Sequence, residues 1–163
     1  MNKIVSRTST ISLSANLNDA FPLFGPVKEQ EWEPHWHPRF VLPYAEPVQE
    51  HMVFQTAGHD PHHPTTYTWV VSKFQPAQAL IEYTVFTDAR IWWISIQCEQ
   101  EPSEPRTKAR ITYTYLGMSE EAKRANAQAL ETMFRHELKD WEAAINNYLE
   151  SGSGAGKTPS ESP

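Results

Sequence analysis

Between Ser119 and Ser151 the chain runs without a proline or glycine, and its apolar residues keep step with a helix. Leu130, Met133, Phe134, Leu138, Trp141, Ile145 and Leu149 recur at three- and four-residue intervals, which sets them on one stripe. Ser119 opens the segment, and Glu120 and Glu121 fall in the first turn, where the helix dipole favours acids. At 1.5 Å per residue, some 28 helical residues reach roughly 40 Å. That is long enough to cross the full width of a small sheet, and the rest of the chain supplies one.

Five runs before the helix are rich in β-branched and aromatic residues: 48–56, 65–74, 79–87, 89–99 and 106–116. Turn residues separate them, among them Gly58, Pro61 and Pro64, then Gln75-Pro76, Asp88, and Pro102 to Pro105. Such short connectors imply antiparallel hairpins. Ile81, Tyr83 and Val85 alternate with Glu82 and Thr84; Ile111, Tyr113 and Tyr115 alternate with Arg110, Thr112 and Thr114. One face of the sheet is therefore covered and the other is solvated. A further strand is expected at the N-terminus, over Ile4 to Leu13, with Val5, Ser9, Ile11 and Leu13 on its inner parity.

Two short helices are expected next. Ser14 or Asn16 can cap the first, which carries Leu17, Ala20, Phe21 and Phe24; Pro26 can open the second, running to about Trp32. Pro34, Pro38, Pro43 and Pro47 then forbid a long helix or a central strand, leaving a loop with an edge strand around Phe40–Tyr44. The expected domain covers residues 1–150. Residues 151–163, SGSGAGKTPSESP, have almost nothing to bury and read as a disordered tail. Its GSGAGKT lacks the preceding strand and following helix that a phosphate-binding loop needs.

Charge narrows the partners. The net charge of −6 comes with no Lys/Arg-rich run, so nucleic acid and anionic membrane surfaces are not expected partners. No segment approaches the roughly 18 apolar residues of a membrane span, so no stable membrane insertion is expected. Cys98 is the single cysteine. With no intramolecular disulfide and no apolar leader in residues 1–14, a cytoplasmic location is the expectation.

The order strand, two short helices, antiparallel strands and a long last helix resembles the SRPBCC superfamily, the START-like or Bet v-like proteins. The segments that carry the likeness are ANLNDAFPLFGPVKEQEWEPHW, TYTWVVSKFQPAQALIEYTVF and RTKARITYTYLGMSEEA, and it extends over residues 1–150. The resemblance implies an α+β helix-grip fold, a curved antiparallel sheet wrapped round the C-terminal helix. It also implies an internal cavity for an apolar small molecule or lipid, with no cofactor required. One fold hosts many roles. A carrier or sensor without chemistry is the first expectation. A cyclase- or dehydratase-type enzyme using polar groups in the same cavity is the alternative, and a protein-interaction domain is a third reading.

Trp69, Tyr83, Trp93, Tyr113, Tyr115, Phe134 and Trp141 are the candidate cavity wall, taken from the alternating strands and the helix stripe. Trp32 and Trp36 border the Pro-rich loop and are candidates for the cavity mouth. Polar candidates for acid–base work are Glu82, His51, Arg90 and the three tyrosines, with Glu82 expected to face water. His35 and His37, with His59, His62 and His63 around Asp60, form an unusual histidine cluster. Its spacing matches no recognised metal motif, so no metal is expected. Cys98 shares the parity of Ile94 and Ile96 and reads as a small buried hydrophobe rather than a nucleophile.

Overall fold

The computed structural model describes residues 4–42, 46–58, 61, 62 and 64–155. Strand β1 spans Ile4–Leu13, followed by a one-turn helix α1 (Leu17–Ala20) and two 3-10 turns, Phe21–Phe24 and Lys28–Glu31. Strands β2 (Arg39–Leu42), β3 (Val53–Ala57), β4 (Thr66–Gln75), β5 (Leu80–Phe86), β6 (Arg90–Gln100) and β7 (Thr107–Gly117) come next. The long last helix has two parts, α2 (Glu120–Thr132) and α3 (Leu138–Ala155), joined by a wide π-type turn over Met133–Glu137.

All seven strands form one antiparallel sheet in the order β1-β7-β6-β5-β4-β3-β2. Each hairpin neighbour is a spatial neighbour, and the first strand closes against the last. Ile81, Tyr83 and Val85 on β5 are buried, as are Trp92, Ile94, Ile96 and Cys98 on β6 and Ile111, Tyr113 and Tyr115 on β7. The residues between them, such as Glu82, Ser95 and Thr112, keep accessible surface. This period of two leaves one apolar face, and Leu130, Met133, Leu138 and Ile145 from the long helix join its core. Fully burying each such aliphatic side chain contributes about 1.5–3 kcal/mol. The fold is thus the helix-grip α+β arrangement expected from the sequence.

Local differences have local causes. The two expected helices shrink to a single α-turn and two 3-10 turns, because Pro22 and the Gly25-Pro26 pair interrupt the backbone bonding. Asn16 is the cap, its Oδ1 accepting from the Asp19 N–H at 3.2 Å. Strand β3 starts at Val53 rather than at residue 48, since His51 adopts φ 72 in a turn. The last helix runs to Ala155, past the expected boundary at residue 150; residues 156–163 lie outside the described residues. Tyr44, at the end of the expected edge strand, lies outside them too.

The free edge of β1 is capped by the helix at its C-terminal end. The Ser12 N–H donates to Glu142 Oε2 at 2.7 Å, and the Ser14 N–H to Asn146 Oδ1 at 2.8 Å. Asn146 Nδ2 donates back to the Ser12 carbonyl at 3.0 Å. Glu142 and Asn146 are four residues apart, hence on one face of α3. Backbone groups that would otherwise invite a foreign strand are thereby satisfied.

Candidate functional site

The sheet and the long helix do not meet along their whole length. Between them lies a cavity of about 500 Å³. Its floor comes from the inner parity of β4 to β7: Trp69, Tyr83, Trp92, Ile94, Ile96, Tyr113 and Tyr115. Met133 and Trp141 close it from the helix, and the segment from Phe24 to Trp36 closes the remaining side.

Four of the rings are held where they stand by their polar tips. Tyr83 donates its hydroxyl to the Phe24 carbonyl at 2.7 Å. Trp32 Nε1 donates to the Leu23 carbonyl and Trp36 Nε1 to the Pro26 carbonyl, each at 2.7 Å. Trp69 Nε1 donates to Thr56 Oγ1 at 3.0 Å. Edge-to-face contacts tie the two walls together: Trp32 meets Trp141 at 6.0 Å between centroids, and Trp36 meets Trp69 at 5.2 Å. Trp92 stacks on Tyr115 at 5.6 Å.

Charge enters at two points inside. Glu29, on the second 3-10 turn, opens onto the cavity. It is half-buried there, with part of its surface still accessible. Burial, reinforced by the Glu33 carboxylate, holds its carboxyl well above the usual carboxylate range. Among the described residues its side chain makes no hydrogen bond. Burial likewise raises the phenols of Tyr83 and Tyr113, to both of which the Glu29 charge adds. The Tyr115 phenol is pushed up to about 12, again mainly by burial. Arg90 is the second point, half-buried at the start of β6 with its guanidinium 4.8 Å from the Trp92 ring centroid. Glu137 and Asp140 stand on the exposed rim.

Of the candidate wall residues, the structure brings Trp69, Tyr83, Tyr113, Tyr115 and Trp141 together around the cavity, and Trp32 and Trp36 with them. Trp93 does not belong: it points to the opposite face, paired across the sheet with Thr84 and Thr114, and Trp92 takes the place expected for it. Phe134 is also displaced. It packs edge-on against Tyr113 at 6.3 Å and under the Arg7 guanidinium at 4.9 Å, while its neighbour Met133 lines the cavity. Glu82 faces away and accepts a hydrogen bond from the Ser72 hydroxyl at 2.8 Å. His35 is an exposed residue at the cavity mouth. Among the described residues no group of three or more His, Cys, Asp or Glu side chains is placed to hold a metal; His59, Asp60 and His63 lie outside them. Burial pushes the Cys98 thiol up to about 12, which makes it a poor nucleophile at neutral pH.

Glu29 is the residue the sequence reading missed. A signal existed: Gly25, Glu29 and Trp32 fall at helical spacing, and the first and last are buried. The missed carboxyl makes a pH prediction. As pH rises above about 4, an unfolded-state Glu29 ionises before the folded one does, so the parent protein loses stability across that window. Glu29→Gln has no such loss. Its melting temperature relative to the parent should therefore climb from acid to mildly alkaline pH. A constant difference across that range would show that Glu29 is solvated in the folded state.

No protein-family model matches the chain, and no curated protein matches it. Solved structures do. The chain has the helix-grip fold of the Bet v1-like proteins. An aromatase/cyclase from Streptomyces superposes with a TM-score of 0.68 at 13% identity, over 91% of this chain and 94% of that one. Truncated norcoclaurine synthase from Thalictrum flavum gives 0.69 at 9% identity, with 91% and 94% covered. A protein from Nitrosospira multiformis gives 0.64 at 10% identity, with 91% and 99% covered. At such identities the likeness establishes the fold and leaves the function to the site. No helix among the described residues is long and apolar enough to cross a membrane.

Proposed function

We propose that this protein binds a flat, largely apolar small molecule between its sheet and its last helix, as a carrier or sensor. One observation carries the reading: four rings around the cavity, Trp32, Trp36, Trp69 and Tyr83, are fixed by hydrogen bonds at their tips, which supports a space braced open rather than left by loose packing. Its volume of about 500 Å³ lies within the usual range for small-molecule sites. Aromatic walls of this kind favour ring-containing ligands by stacking and edge contacts. A cyclase- or dehydratase-type enzyme is the second reading, favoured by Glu29, a carboxyl facing the cavity with its affinity for the proton raised. A carrier returns its ligand unaltered, and mass spectrometry of ligand recovered after incubation separates the two.

The binding itself is tested with the neutral fluorescent probe N-phenyl-1-naphthylamine. One-site saturation is expected, with a rise in melting temperature that follows mass action. Tyr115→Trp extends a wall ring into the space. It should lower probe affinity at little cost in stability, whereas in a filled core the larger ring would cost about 1–3 kcal/mol. Strong destabilisation by this change, together with no saturable binding to the parent protein, would remove the basis of the proposal.

A further inference from the structure

We infer that the ligand of this cavity carries an anionic oxygen group, an aromatic carboxylate in the simplest case, and that Arg90 receives it. The inference rests on the cavity being a binding site, and it specifies the ligand's polar end.

Arg90 begins β6 on the inner parity, two residues before Trp92, and lines the cavity. It also lines two clefts outside, one beside α2 and one beneath Ala129 and Met133, so its guanidinium stands where the cavity meets the surface. The group is held in place rather than left to wave in solvent. It lies 4.8 Å from the Trp92 ring centroid and 5.9 Å from that of Tyr115, and Nη1 donates to Asn126 Oδ1 at 3.2 Å.

The partner that is missing is a carboxylate. Arg7, Arg106 and Arg135 each pair with a glutamate; among the described residues Arg39, Arg90, Arg110 and Arg124 make no ion pair, and of these four only Arg90 lines the cavity. A guanidinium carries five N–H donors in a fork that fits two carboxylate oxygens. One of the five is used, on Asn126.

Asn126 is the independent observation. It is 1% exposed, a polar residue on the buried face of α2 between Ala122 and Leu130. Its Nδ2 is buried without any acceptor. An unmet buried donor destabilises a fold, and an apolar residue here would avoid that. What Asn126 does is orient Arg90, and its unmet Nδ2 sits one amide's width from the atom that does so.

The cavity's acids lie on other sides of this cation, and among the described residues none is ion-paired to it. Glu29 lies over Tyr83 and Tyr113, the level of Ile94, which is four residues along β6 from Arg90, or roughly 13 Å. Burial favours its neutral form. Glu137 and Asp140 are exposed, but Glu137 shares a cleft with Arg90 and Tyr115 and its charge reaches the Tyr113 and Tyr115 phenols, so it opposes the cation from the solvent side. The cavity thus carries its cation at the α2 end of β6, with the Glu29 carboxyl, its proton affinity raised by burial, further in.

The test uses two isosteric competitors, 2-naphthoate and 2-naphthamide, displacing N-phenyl-1-naphthylamine from the whole protein at neutral pH and low salt. The acid is expected to compete about tenfold more strongly than the amide. Arg90→Gln should bring the two to parity, each competitor being read against the neutral probe's Kd measured for that same variant, and Arg90→Lys should restore part of the preference. A parent protein that binds the probe but prefers the acid by less than twofold overturns the inference and leaves the cavity reading standing. So does a preference that survives Arg90→Gln. If the parent does not bind the probe at all, both fall. Should Arg90→Gln not fold, the parent's own preference and Arg90→Lys decide the matter.

Discussion

Phe54→Ala is expected to cost about 3–5 kcal/mol of folding stability. The side chain is 0% exposed, and four other rings surround it. Trp69 stacks on it at 5.5 Å, Trp36 and Tyr83 meet it edge-on at 5.7 and 6.0 Å, and Phe40 leans against it at 5.5 Å. Removing the ring takes away its transfer energy and leaves a void that four stiff neighbours cannot close. For a domain of this size the melting temperature should fall by on the order of 10 °C. Trp36 and Trp69 also line the cavity, so the void should join it, and a bulkier apolar probe should then be accepted than the parent admits. A fall of only one or two degrees would mean that the cluster repacks freely, contrary to the bracing on which the proposed function depends.

Gly117→Ala is expected to destabilise by about 1–3 kcal/mol, the cost of overpacking a tight junction. Gly117 ends β7 just before the long helix begins. A methyl group there would stand 2.7 Å from the Lys123 backbone nitrogen and 3.0 Å from the Ala122 carbonyl carbon. Backbone cannot turn aside as a side-chain tip can, so the first turn of α2 must move off the sheet. Gly117 is the cross-strand neighbour of Arg90, and Asn126 lies two turns further along that helix. The variant should therefore lose preference for an acidic ligand over its neutral isostere as well as stability. Urea unfolding and the competitor pair read the two effects separately. Unchanged stability would show that the strand end and helix have more room between them than the backbone positions imply.

How far the sequence was legible depended on the period of the signal. Tyr83, Tyr113 and Tyr115 sit in strands whose two parities differ sharply, apolar against Glu, Thr and Arg, and all three line the cavity. Strand β6 has tryptophan on both parities, and there the reading failed. Yet the information was present: Trp93 shares its parity with Ser95, Gln97 and Glu99, whereas Trp92 shares its own with Ile94, Ile96 and Cys98. Weighing the whole strand rather than the single ring selects Trp92. Phe134 failed for a different reason. The wide turn over Met133–Glu137 adds a residue to the helix and shifts the stripe, so residues before and after it no longer follow one phase. No periodicity announces such a turn in advance. Glu29 and Asn126 were missed because polar residues on a helix or turn are read as solvated, and only the packing of the whole chain shows that Asn126 is buried and that Glu29 is half-buried against the cavity.

The pairing of β1 with β7 also governs how the protein emerges from the ribosome. Ile4 to Leu13 find their hydrogen-bonding partners in Thr107 to Leu116, about a hundred residues later, and the helix that covers both comes last of all. At roughly 5–20 residues per second, the first strand waits several seconds or more for its mate. During that time a segment of Ile, Val, Ser and Thr is exposed with nothing to pair against, while the hairpins from β3 to β6 can assemble on their own. The nascent chain should thus acquire its central sheet first and its two ends together. A ribosome-bound chain cut off before α3 would remain sensitive to protease at its N-terminus however complete its middle had become.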